Sequence, residues 1–152
     1  MTATEYRLPP RVRAIPGTEG FLFFGRTMFE LLEPWTFEVR GHGSFTIPYG
    51  YKFDRASTPK IAWLIGFTRD GLTEVPALEH DFLCDLLAGG SPWLAERLGK
   101  IPDSPPPAVV HQHFEDRLLE EGMRPSKART MGFAVKALGP KGWLKPSRWF
   151  NT

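Results

Sequence analysis

The chain has one cysteine, Cys84, in 152 residues. No intrachain disulfide can form, so packing must hold the fold. No apolar run approaches the about 20 residues that span a bilayer, and Met1 to Arg7 lacks the hydrophobic core of a signal peptide. The expectation is a protein made in a cytoplasm, without a membrane span. Internal repeats and low-complexity tracts are missing, as are the HExxH and CxxC spacings that announce a zinc site. Acidic residues are absent from Gly122 to Thr152, a stretch holding seven basic ones (Arg124, Lys127, Arg129, Lys136, Lys141, Lys145 and Arg148). The rest carries 12 basic and 17 acidic side chains, a balance of −5. Such asymmetry marks a docking surface. Nucleic acid is not the expected partner, because the seven charges balance the acidic remainder.

What is present suits one soluble domain: the length fits a single compact unit, and the 41% hydrophobic and 24% charged content are ordinary for a globular protein. Gly and Pro, 15 each, call for many turns and short elements. Residues 1–20, with Pro9, Pro10, Pro16 and Gly17, read as an extended arm. Residues 21–48 read as β: Trp35 to Arg40 alternates apolar and polar, Gly41-His42-Gly43 turns the chain, and Ser44 to Ile47 returns it before Pro48 ends the ladder. Residues 49–59 read as a loop whose end, Ser57-Thr58-Pro59, is a helix entry, leading to a short helix through Ile65.

The central helix is expected from Pro76 to Ala88. Leu78, Phe82 and Leu86 form one apolar stripe, and Ala77, His80, Cys84 and Leu87 a second, so the helix is buried on two faces and His80 points inward. Gly89-Gly90 stops it. Ser91 and Pro92 open a short helix to Lys100. Ser104 is the expected N-cap of the next, which runs to Glu121 with Gly122 at its C′ position, and a last helix spans about Ser126 to Leu138. The fold class is therefore α+β, a small N-terminal antiparallel β portion packed on a helical C-terminal half. Residues 21–143 form the domain and 144–152 a basic aromatic tail.

Asp54, His80, Asp81 and His111 are polar where the pattern predicts burial, and such groups must be hydrogen-bonded, paired or metal-bound. They could satisfy one another as a structural network. They could bind a divalent ion, zinc first, with Asp54 or Glu115 completing a set of His80, Asp81 and His111. Or His80 could be a general base, with Asp81 as its catalytic partner. Successive helical residues point about 100° apart, so His80 and Asp81 need not share one site. His113 and His42 are expected to face solvent.

Ile47-Pro48-Tyr49-Gly50-Tyr51-Lys52-Phe53-Asp54-Arg55-Ala56-Ser57-Thr58-Pro59, Ala77-Leu78-Glu79-His80-Asp81-Phe82-Leu83-Cys84, His111 to Phe114 with Leu118 and Gly122, and Ala134-Val135 with Gly139 to Trp143 occur in this order. Together they resemble the signatures of domain-of-unknown-function family 1353, common in tailed bacteriophages and prophages. Cys84 stands where that family usually has Tyr, and His111 where it usually has Asp. The resemblance implies a virion component, structural and tail-associated. Residues 1–20 and 141–152 would dock on other virion proteins. The alternative is a metal-dependent or His-Asp hydrolase acting on host peptidoglycan or lipid.

Overall fold

The computed structural model describes residues 8–15, 28–54 and 74–138. Its order is β1 (Val12–Ala14), β2 (Met28–Leu31), β3 (Trp35–Val39), β4 (Gly43–Ile47) and β5 (Lys52–Asp54), then helices α1 (Glu74–Leu87), α2 (Pro92–Leu98), α3 (Pro107–Glu120) and α4 (Pro125–Leu138). This is the α+β class expected: among the described residues, antiparallel sheets precede four helices.

The strands form two sheets, β1-β2-β5 and β3-β4. In the second, Trp35, Phe37 and Val39 alternate inward with exposed neighbours. Phe37 faces Phe45 across the pair, and their rings stack at 5.9 Å. On the outer face, the Thr36 and Thr46 hydroxyls hydrogen-bond at 2.9 Å. The period-2 pattern thus builds one apolar and one wet face.

Two strands lie where the sequence reads as arm and loop. Within the arm, Val12–Ala14 pairs with β2, and Arg13 meets Glu30 directly opposite it. Within the loop, Lys52–Asp54 pairs with β2 on its other edge. Tyr51 and Phe53 are buried while Lys52 is half-buried between them. This alternation covers too few residues to announce a strand, and the open edge of β2 supplies the pairing that makes it one. The expected entry at Ser57-Thr58-Pro59 and the helix after it fall outside the described residues.

α1 is buried at every position from Pro76 to Leu86. It packs against α3, which packs in turn against α4. The main core joins both sheets to α1 and includes Leu31, Ile47, Tyr51, Phe53, Leu78 and Phe82. A second cluster of Phe114, Leu118, Met123, Ala128 and Met131 lies between α3 and α4. Gly132, where an added Cβ would come within 2.9 Å of the Glu115 side chain, lets those helices approach closely.

The helix ends follow from local chemistry. Ser91 caps α2, accepting from the Leu94 N–H at 3.1 Å, with Pro92 behind it. Ser104 does not cap α3: its hydroxyl donates to the Pro105 carbonyl, and Pro106 occupies the N-cap. A residue preceding proline avoids the helical region, and the Pro105-Pro106-Pro107 run delays the helix until Pro107, whose missing N–H needs no cap. α1 stops as expected at Gly89-Gly90, where Gly90 bonds back to the Asp85 carbonyl at φ +74. An alanine Cβ at Gly90 would lie 2.6 Å from Ile101. Gly90→Ala therefore combines a left-handed backbone with a clash, and urea denaturation should show a loss of roughly 1–3 kcal/mol.

Candidate functional site

α1 carries polar side chains in three directions, and each direction meets a different element. Glu79 faces β3 and α3. Its carboxylate is fully buried and accepts the Trp35 indole N–H at 3.0 Å, the His113 Nε2–H at 2.8 Å and the Arg117 Nε–H at 3.0 Å. Arg117 also binds Glu120 and, at 3.1 Å, Glu121. Burial alone would lower the Arg117 guanidinium, but Glu79, Glu120 and Glu121 outweigh it and hold the group above its ordinary value. One inaccessible carboxylate thus ties a strand and two helices together.

His80 and Cys84, one turn apart, face α3. His80 Nε2 lies 3.3 Å from His111 Nδ1, and the Cys84 Sγ lies 3.7 Å from His80 Nε2. The Phe114 ring closes the pair at 5.2 Å from the His80 ring. Each neutral imidazole has one donor and one acceptor nitrogen, so the two rings can share a single proton across this gap.

Asp81 and Asp85, also one turn apart, belong to the side of α1 nearest Tyr51. The Tyr51 hydroxyl donates to the Asp85 carboxylate. Burial first, and then the charges of Asp85 and Asp81, push the Tyr51 phenol well above its ordinary value of 10.0. Phe82 meets the same Tyr51 ring edge-on at 5.8 Å.

The sequence-derived candidates therefore separate. His80 and His111 are in contact, whereas Asp81 lies around the helix from His80, as the step of about 100° per residue requires. Asp54 ends β5, and its side chain falls outside the described residues. Glu115 packs against α4 at Gly132. Among the described residues, no three His, Cys, Asp or Glu side chains stand where they could hold one metal ion. His42 is exposed, as expected. His113 is not: it is 6% exposed and bonded to Glu79, against the expectation that it faces solvent. The reason is a wide α3 interface, in which His111 and His113 both point inward on either side of Gln112.

Sequence reasoning missed Glu79, Asp85, Tyr51, Trp35 and Arg117 as well as His113. Two signals were present. A helix with apolar stripes on two sides leaves no room for Glu79 to reach solvent. His113 and Arg117, spaced i, i+4, line one edge of α3 with donors suited to a carboxylate.

The arrangement defines a class, an α+β domain whose most buried helix carries four buried polar side chains, Glu79, His80, Asp81 and Asp85. The family model described as "Protein of unknown function (DUF1353)" matches residues 29–135, a span holding every member of these three groups, and the chain belongs to that family. No curated protein and no solved structure matches it. No helix among the described residues is long and apolar enough to cross a membrane.

Glu79→Ala leaves the Arg117 and His113 donors facing an empty pocket, and chemical denaturation should show a loss of about 3–5 kcal/mol. Glu79→Gln keeps one acceptor oxygen and should cost less.

Tyr51→Phe strips a donor from buried Asp85 and should cost roughly 1–3 kcal/mol at neutral pH. Because the folded phenol holds its proton to higher pH than the unfolded one, stability is complete below pH 10 and falls as pH rises beyond it. Alkaline titration of stability should show this decline in the wild type and a shallower one in Tyr51→Phe.

Proposed function

We propose that this protein is a structural or assembly component of a tailed-phage particle, tail-associated, whose polar interior fixes the fold rather than turning over a substrate. Burial carries the structural part of this reading. Glu79, His80, Asp81 and His111 are 0%, 2%, 1% and 6% exposed, and a catalytic base must come within hydrogen-bond reach of substrate. The phage setting rests on the family resemblance. Docking on neighbouring virion proteins falls to residues 1–20, of which Val12–Ala14 is a sheet strand, and to residues 141–152.

One observation favours a second reading, a bound divalent ion. The 3.3 Å between His80 Nε2 and His111 Nδ1 suits two nitrogens on one tetrahedral zinc, each at about 2.0–2.1 Å. Asp54 is the candidate third ligand. In this reading the ion is a structural staple between α1 and α3.

One set of variants tests both readings. His80→Ala and His111→Ala should unfold or fail to enter particles, and the wild type should show no activity on peptidoglycan or phospholipid. Hydrolysis by the wild type that disappears in a folded His80→Ala variant would establish the hydrolase instead. Elemental analysis decides the metal: near-stoichiometric zinc lost in His111→Ala supports the staple, and its absence from purified wild type removes it.

A further inference from the structure

β1 is the least rooted strand of the fold. Of the described arm residues 8–15 none is buried, and Val12 is the one β1 side chain packed on the main core. Edge chemistry holds the arm: the ladder to β2, the Leu32 N–H donating to the Arg11 carbonyl at 2.8 Å, and the solvent-facing Arg13–Glu30 pair. The edge that receives it is firmly set. Leu31 of β2 is fully buried, and β5 pairs with β2 on the other side. The family match, residues 29–135, begins inside β2 and leaves β1 out. The family domain thus ends in a formed sheet edge, which an appended strand covers. Such an edge is a template for any strand that fits it. The link between β1 and β2, residues 15–27, is far longer than the two to five residues that ordinarily join antiparallel neighbours. Fully extended it reaches about 40 Å, so connectivity does not confine β1 to its own β2.

We infer that β2 also receives β1 from a second copy of this chain, so that neighbouring copies exchange arms. The sheet itself identifies the occupant. Val12–Ala14 fits the β2 edge in register and in charge, and every copy carries it. The strand contacts are the same within a chain and between chains, so local concentration decides between the two arrangements. A dilute chain closes on itself, and copies held side by side exchange. This rests on the reading that residues 1–20 dock on neighbours, and it names the neighbour as the same protein. Particle entry tests that reading, and the purified chain tests the exchange.

Arg13 and Glu30 stand opposite each other, within disulfide reach in an antiparallel pair, and the native Cys84 is buried. Full-length Arg13→Cys and Glu30→Cys chains, each with one new thiol, are mixed in a glutathione redox buffer and separated on a non-reducing denaturing gel. At about 1 mM, the effective concentration that a short flexible link provides, the two should form a disulfide-linked pair. The yield should fall about tenfold or more at about 10 μM, where closure within each chain wins. Absence of the linked pair at the higher concentration overturns the proposal. Equal linking when Glu38→Cys, exposed on β3, replaces Glu30→Cys also overturns it, since collision alone then accounts for the pair.

Discussion

The fold depends on a carboxylate placed where no water can reach it. A buried, ionised Glu without partners is too costly to retain, so Glu79 constrains everything around it. β3 must bring Trp35 close, and α3 must present His113 and Arg117 in the same turn. These are directional demands, unlike those of the surrounding Leu and Phe residues. An apolar core of similar volume could match the stability, since buried ion pairs often gain little over hydrophobic replacements. What the carboxylate adds is register, because only one rotation of α1 and one of α3 satisfy all three donors.

The other polar contacts of α1 act in the same sense. Tyr51 reaches Asp85 from the residue just before β5, and β5 is held on the edge of β2. His80 meets His111 on α3. Sheet, α1 and α3 are thus joined by polar contacts on three sides of one helix, with apolar side chains filling the space between. Phe82 packs on both Phe37 and Tyr51, bridging the two sheets beneath the polar groups.

The long regular elements were legible in the sequence because their signals are local. Alternation at Trp35 to Val39, the Ser91-Pro92 cap and the Gly89-Gly90 stop each depend on neighbours a few residues away. β1 and β5 were not legible, since a three-residue strand exists only by virtue of the edge that receives it. Ser104 misled because the three prolines after it delay the helix past its reach. Burial of His80 and His111 could be read from helical stripes, and the angular step warned that Asp81 would diverge. Glu79 escaped because a charged residue on a helix is ordinarily a solvated one, and only the second apolar stripe argued otherwise. Its partners lie 34 to 44 positions away, and no local pattern carries that information.

The Glu79 cluster also bears on how such a chain can vary by descent. Its four side chains come from one strand and two helices, and replacing any one leaves the others with unmatched polarity. A lineage cannot drift through these positions singly without passing through a weakened protein. Each of Trp35, His113 and Arg117 is therefore constrained by the one carboxylate they share. Neighbouring core positions such as Leu78 and Leu83 are fully buried too, but volume and shape constrain them rather than direction.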